Sequence, residues 1–293
     1  MNKTIRVGSR DSALAVIQAQ IVIGTVKKIN PDIDFEIVTI KTTGDKIFDK
    51  NLDTIGGKGL FIKEIESALA DGSIDIAVHS YKDMPYQETE GLPVVALSER
   101  ESPFDALVLP QGIDKIDNSK PVGCSSRRRA IQFAILYDGL KISPVRGNIP
   151  TRLTKLDKGE YSALILAQAG LNRLSLQHRV SRVFTIDEMI PSASQGILAV
   201  QGREGGDYSF LDAFHSRESE IVSKAERQFL KTLGGGCSSP VAAYAQLCKN
   251  EILLTGMYVD VSGNAETGKI SGDIDKPELL GEMLALRLKE RVK

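Results

Sequence analysis

The strongest chemical signal in the chain is a run of basic residues. Between Pro121 and Arg152 stand Arg127, Arg128, Arg129, Lys141, Arg146 and Arg152, against a single acid, Asp138. Ser125, Ser126 and the three consecutive arginines fall at the predicted start of a helix. Unsatisfied backbone N–H groups favour an anion there, and a guanidinium grips carboxylate or phosphate in a bidentate fork. Arginines at that end oppose the helix dipole, so an anionic partner is expected to compensate them; the competing reading is a solvated basic face. Arg146 follows a predicted strand, at the end where open sheets bind ligands, which favours a polyanionic ligand.

Three further segments carry candidate chemistry. In Gly234-Gly235-Gly236-Cys237-Ser238-Ser239-Pro240, three glycines remove side-chain bulk in front of one thiol. A large group can then approach the sulfur, so Cys237 reads either as a nucleophile or attachment point or as a structural loop cysteine. His79-Ser80-Tyr81-Lys82-Asp83 follows an apolar strand. A carboxylate at the end of a buried strand, beside Lys82 and the arginines, stays ionised and can stabilise a cation or shuttle a proton. Asp83 as a turn residue ahead of Pro85 is the alternative, and His79 reads as structural. Gly56-Gly57-Lys58-Gly59 opens a helix and is either an anion cradle with Lys58 or a plain helix-start loop. It does not fit the P-loop pattern, and no dinucleotide-binding glycine motif follows a strand.

The 293 residues carry 37 Lys and Arg against 38 Asp and Glu, a net charge of −1. That balance argues against a general nucleic-acid binder, and 5% aromatics without tryptophan leaves few stacking platforms for bases. A 42% hydrophobic content can fill sizeable cores. No run of 18 apolar residues predicts a membrane span, and the N-terminal stretch shows no apolar leader. Cys124, Cys237 and Cys248 stand in no C-x-x-C pair, and there are only three histidines. The expectation is a reduced, cytoplasmic protein with no metal site, in which Cys124 and Cys248 are ordinary buried thiols.

The elements that must position these residues alternate between strand and helix. Strands are predicted at Thr4 to Val7, Phe35 to Lys41 and Ile74 to His79. Between them lie helices at Ser12 to Ile29, facing inward through Leu14, Ile17 and Ile21, and at Lys58 to Ala70, through Phe61, Ile65, Ala68 and Leu69. This order predicts a mainly parallel sheet. It repeats as strand Pro121 to Cys124, helix Ser125 to Tyr137, strand Leu140 to Val145, helix Pro150 to Lys158 and strand Tyr161 to Leu166. Ser98 to Pro103 and Pro191 to Gly196 read as hinges. The last third holds a helix at Glu218 to Thr232 and strands at Val241 to Leu247 and Glu251 to Val259. A final helix at Lys276 to Lys293 is predicted to face inward through Leu280, Met283, Leu284 and Leu288.

In order along nearly the whole chain, eight motifs resemble the porphobilinogen deaminase (hydroxymethylbilane synthase) family. They are VGSRDSALA from Val7, GGKGLFIKEIE from Gly56, DIAVHSYKDMP from Asp75, VGCSSRRRA from Val122, VRGNIPTRL from Val145, LILAQAGLNRL from Leu164, SQG from Ser194 and GGGCSSP from Gly234. The resemblance implies an α/β fold. Two lobes like those of type II periplasmic binding proteins comprise residues 1–98 with 196–216, and 102–192. A small α/β C-terminal domain spans 218–293, and a strand returning near Gly196 to Gly202 completes the first lobe.

The resemblance further implies a transferase of tetrapyrrole and haem synthesis that joins four porphobilinogen molecules head to tail, releasing ammonia, to give hydroxymethylbilane. A dipyrromethane cofactor would hang by a thioether from Cys237. Asp83 would be the catalytic carboxylate, stabilising the cationic azafulvene that forms when ammonia leaves. Arg10, Ser12, Lys82, Ser126, Arg128, Arg129, Arg146 and Arg152 would bind the acetate and propionate groups, joined by Lys58, Arg173 and Gln195. The expected enzyme is a cytoplasmic monomer whose partner is its small-molecule substrate, without nucleic acid or membrane. Cys124 stands where the family usually has threonine, Arg127 where leucine is common, and Gln201 where glutamate is usual. A non-catalytic two-lobed binder of an anionic metabolite is the rival from another class. It explains a basic cleft but not the glycine-framed cysteine, and its intact mass would equal its sequence mass.

Overall fold

The computed structural model describes residues 4–43, 62–235 and 240–292. Lys58, Phe61 and Cys237 therefore lie outside the described residues. The chain divides into two compact units, Met1–Glu101 with Ile197–Glu220, and Ser102–Gly196 with Ile221–Lys293.

The first unit is built on a five-stranded sheet. Its strands are β1 (Ile5–Arg10), β2 (Phe35–Ile40), β3 (Ile76–Ser80), β4 (Val94–Leu97) and β10 (Leu198–Gln201), in the order β2-β1-β3-β10-β4. The first three are parallel, with Ile5 opposite Phe35 and Val7 opposite Ile76. The returning strand β10 runs antiparallel to both β3 and β4, so four of the five strands run one way and the mainly parallel sheet carries one reversed strand. The reason is topological: a strand brought in from far along the chain need not follow the right-handed crossover that keeps consecutive strands parallel.

Helix α1 (Ala13–Ile29) covers this sheet, but through Ala15, Gln18, Ala19, Val22 and Val26 rather than Leu14, Ile17 and Ile21. The helix is apolar almost all round, so spacing alone does not choose a face. Packing does: the small Ala15 and Ala19 allow close approach to the sheet, and Ile21 is left exposed. Helix α2 (Lys63–Ala70) buries Ile65 and Leu69 as expected.

The second unit repeats the plan. Strands β5 (Asp105–Val108), β6 (Val122–Gly123), β7 (Ile142–Ser143), β8 (Ala163–Ala167) and β9 (Arg182–Val183) run in the order β7-β6-β8-β5-β9. Again three strands are parallel, and the fourth, β5, is antiparallel to its neighbours. Helices α3 (Arg127–Leu136), α4 (Ile149–Asp157) and α5 (Gln168–Arg173) each follow one of the parallel strands. Two lobes of one α/β topology are the fold class expected.

The unit also contains a three-stranded antiparallel sheet of β11 (Ala242–Cys248), β12 (Glu251–Val259) and β13 (Ala265–Asp273). Helices α6 (Arg217–Thr232) and α7 (Pro277–Arg291) pack on it through Val222, Ala225, Phe229, Leu280, Leu284 and Leu288. Met283, expected to face inward, is 49% exposed. The buried stripe runs through positions 280, 284 and 288 with 277, 281 and 285, and 283 falls off its edge. Cys248, expected to be buried, is exposed at the end of β11. Among the described residues, no helix is long and apolar enough to cross a membrane.

Gly281 is where α7 meets α6. A Cβ there would lie 2.3 Å from the Ala225 carbonyl oxygen and 2.9 Å from the Phe229 nitrogen. Both are backbone atoms that cannot turn aside. Gly281→Val should therefore destabilise the protein by about 1–3 kcal/mol, read as a lower midpoint in thermal or urea unfolding. An unchanged midpoint would show that the two helices can separate at no cost.

Candidate active site

In the first unit, the parallel pair β1 and β3 brings the segments that follow them to one edge of the sheet. Arg10 ends β1. Ser12 caps α1, its hydroxyl accepting from the Ala15 N–H at 3.3 Å. Ser80 ends β3, and its side chain is held by Gln18 at 2.8 Å. A single 3-10 turn, Tyr81–Asp83, follows, with Tyr81 buried, Lys82 half-buried and Asp83 exposed. The fold thus carries Arg10, Ser12, Lys82 and Asp83 on neighbouring strand ends.

Beneath them His79 is buried. Burial pushes its pKa down to about 4; Gln201 opposes this, and the positive charge of Arg10 adds to it. His79 Nε2 and Gln201 Oε1 are both buried without an aligned hydrogen bond. The imidazole is therefore neutral at pH 7, which fits the structural role expected of it.

In the second unit, the segments after the parallel strands β6, β7 and β8 carry the basic residues. Ser125 ties two of these segments together: its hydroxyl donates to the Val145 carbonyl at 2.7 Å and accepts from the Val145 N–H at 3.0 Å. Ser126 caps α3, accepting from the Arg129 N–H at 3.4 Å. Arg146 follows, and Gly147 at φ 110° turns the chain into α4, which Asn148 caps. The left-handed φ and the Thr151 side chain, 2.6 Å from where a Cβ would sit, restrict this position to glycine. Arg152 Nε donates to the Gly147 carbonyl at 2.7 Å. Burial lowers the Arg152 pKa, and the charges of Arg129 and Arg146 lower it further. Arg152 thus feels the positive charge of two other guanidiniums, which gathers the positive potential expected of a site for polyanions.

Arg128 and Arg129 are buried, and both face Asp105 at the start of β5. Arg129 Nε and Nη2 reach Asp105 Oδ1 at 2.9 and 2.8 Å. Arg128 Nη1 lies 2.8 Å from Oδ2, out of line for a hydrogen bond, and donates to the Ile190 carbonyl at 2.7 Å. Burial alone would raise the Asp105 pKa, but the two guanidiniums and the Gln195 amide hold it well below the usual carboxylate range.

Gln195 is part of this cluster. Its Nε2 donates to Asp105 Oδ1 at 2.9 Å and to the Pro103 carbonyl at 2.6 Å, while its Oε1 accepts from Arg129 Nη2 at 3.3 Å. Arg173, ending α5, donates to the Gly196 carbonyl at 2.5 Å. Cys124 is buried as expected, with its thiol pKa raised by burial.

Sequence reasoning missed two buried acids. Asp105 opens an apolar strand, and its signal was a lone carboxylate in Asp-Ala-Leu-Val in a lobe rich in arginine. Glu226 on α6 accepts from the Ser194 and Ala245 N–H groups, each at 2.6 Å, and so holds the segment that carries Gln195.

Two α/β lobes, each presenting basic side chains where parallel strands end, define a protein built to hold anionic ligands. The family model for "Porphobilinogen deaminase, dipyromethane cofactor binding domain" matches residues 5–210, and that for the C-terminal domain of the same family matches residues 221–290. The chain is 57% identical to the porphobilinogen deaminase of Acetivibrio thermocellus, over 97% of each chain. It is 52% identical to that of Ruminiclostridium cellulolyticum, over 98% of each. The chain belongs to the porphobilinogen deaminase family. Among solved structures, the periplasmic VFT2 domain of Bordetella pertussis BvgS aligns with a TM-score of 0.41 at 13% identity, covering 72% of this chain and 84% of that one.

His79 gives a pH test. Its folded pKa of about 4 lies below its ordinary 6.5, so the unfolded chain binds the proton more readily. Its contribution is fully present above pH 6.5 and declines as the pH falls toward 4, by up to about 3 kcal/mol. Urea unfolding between pH 7 and 5 should show stability falling more steeply in the wild type than in His79→Gln. Equal slopes would mean that the imidazole is charged in the folded state.

Proposed function

We propose that the chain condenses four porphobilinogen molecules head to tail, releases four molecules of ammonia and delivers hydroxymethylbilane to tetrapyrrole synthesis. The 57% identity to a porphobilinogen deaminase across nearly the whole length carries this reading. Arg152, which feels the charges of Arg129 and Arg146, supports it, because pyrrole units bearing acetate and propionate supply the anions such a cluster needs.

The donor chemistry of these residues fits a dipyrromethane. We assign its attachment to a thioether at Cys237, in the C-terminal domain spanning 218–293, and its carboxylates to Arg128, Arg129, Arg146 and Arg152 with Ser126. When bound, the cofactor supplies the primer, a terminal pyrrole whose free α-carbon is nucleophilic. Arg10, Ser12 and Lys82, in the first lobe, are also assigned to carboxylate binding, and Lys58, outside the described residues, is assigned with them. Arg173 and Gln195 are assigned to the same site through their neighbours.

Asp83 does the chemical work. Its exposed carboxylate stands on the last residue of the turn that follows β3. Aimed at a pyrrole N–H, it stabilises the positive charge that develops on porphobilinogen as the aminomethyl C–N bond breaks and ammonia departs. It then helps to remove the proton lost when the new C–C bond restores aromaticity. The protein is proposed to act as a cytoplasmic monomer without a nucleic-acid or membrane partner.

Intact mass after mild purification tests the attachment. The protein should be heavier than its sequence by two porphobilinogen-derived units, and Cys237→Ala should lose that increment. Fully active protein at sequence mass would overturn the assignment. Asp83→Asn should keep its fold and cofactor but lose about 10²–10³-fold in kcat; near-normal turnover would remove Asp83 from the mechanism.

A further inference from the structure

Gln195 is 1% exposed, and its amide orientation is fixed by its partners. The nitrogen faces two acceptors, Asp105 Oδ1 and the Pro103 carbonyl, and the oxygen faces a donor, Arg129 Nη2. Reversing the amide would oppose acceptor to acceptor and donor to donor. Arg129 is thereby gripped from two sides, by Asp105 through Nε and Nη2 and by Gln195 through Nη2. Arg128 is gripped by Asp105 and by the Ile190 carbonyl. The neighbouring Ser194, at φ 59°, is held in turn by Glu226.

We propose that Asp105 and Gln195 are positioning residues for the arginine pair, fixing the two guanidiniums as one rigid platform with a net charge of +1 toward the carboxylates of the cofactor and growing chain. Two buried guanidiniums without a counter-ion would repel each other and turn toward solvent. One carboxylate between them cancels half of the charge and fixes both planes. Gln195 adds orientation without adding charge. That distinction matters: a second carboxylate at position 195 would cancel the platform's remaining charge. This rests on the assignment of Arg128 and Arg129 as carboxylate binders.

The charge argument supplies its own test. Gln195→Glu conserves volume. When protonated, the introduced carboxyl keeps the acceptor toward Arg129 and one of the two donations that the amide makes to Asp105 and Pro103; when ionised, it neutralises the platform and opposes Asp105. The holoenzyme variant should show a KM for porphobilinogen raised about tenfold at alkaline pH. The defect should recover as the pH falls through a new ionisation absent from the wild type, while circular dichroism at each pH reports an unchanged fold. A structural role alone would add no such limb to the profile.

A Gln195→Glu variant with the wild-type KM and pH profile overturns the proposal. Should that variant not fold, Gln195→Ala decides: the proposal expects a raised KM with no new ionisation, and an unchanged KM overturns it. Wild-type enzyme assayed alongside separates the two levels. If it fails to consume porphobilinogen, the functional reading itself is wrong. If it turns over and the variants match it, only the positioning role fails.

Discussion

A carboxylate with no solvent exposure, wedged between two guanidiniums, is the interaction on which the second lobe's chemistry depends. Asp105 reaches its place because β5 enters the sheet antiparallel to β8, which sets its first residue opposite Ala167, at the edge where the parallel strands finish and beside the start of α3. An isolated buried charge would cost several kcal/mol. Here the cost is offset three ways: ion pairs to Arg128 and Arg129, a hydrogen bond from Gln195, and the fixed geometry of a strand start facing a helix start. The arrangement also removes a conflict visible in the sequence. Three consecutive arginines at the N-terminus of α3 oppose its dipole, and a buried acid beside two of them restores the balance.

The same economy governs the strand ends. In the second lobe three parallel strands, and in the first β1 and β3, deliver short connections to one edge, and helices that follow are capped there by Ser12, Ser126 and Asn148. The caps use each serine hydroxyl only as an acceptor, so the O–H of Ser12 and that of Ser126 can still donate to an anion. Guanidinium, ammonium and backbone N–H groups supply the rest of what an anion needs. This division of labour suits a substrate whose carboxylates recur along a growing chain, because positive charge recognises each unit without depending on one rigid pose.

Much of this was legible in the sequence because strongly patterned segments left little choice. The repeated strand–helix order pointed to two lobes, and the arginine run stood out by residue type, whereas Asp83 and Cys237 kept structural alternatives until the family's motifs were matched in order. The rest failed for physical reasons. Strand β13, Ala-Glu-Thr-Gly-Lys-Ile-Ser-Gly-Asp, alternates half-buried and exposed positions with no apolar residue but Ala265 and Ile270, so its hydrophobic signal is weak. The face of α1 was ambiguous because nearly every position is apolar. Asp105 and Gln195 were hard to see because their significance lies in contacts across the lobe: Asp105 is 24 residues from Arg129, and Gln195 is 90 from Asp105. No local pattern reports a pairing at that range.

The three positions that depart from the family's usual residues can be judged by where they sit. Arg127, in place of leucine, is exposed on the first residue of α3, so its charge is solvated and no core is disturbed. Cys124, in place of threonine, is buried, with its sulfur 3.5 Å from the Ser126 carbonyl oxygen. The thiol therefore occupies the hydroxyl's volume while making only a weak contact with the backbone that caps α3. Gln201, in place of glutamate, is wholly buried, and its Nε2 donates to Glu66 Oε1 at 2.9 Å and to the Leu92 carbonyl at 2.8 Å. A glutamate in this conformation would set two carboxylates against each other, and one would have to hold a proton. The amide supplies that hydrogen permanently, so this contact between β10 and α2 does not depend on pH. At the same time its unpartnered oxygen, near the neutral His79, keeps the sheet beneath Asp83 free of an extra buried negative charge.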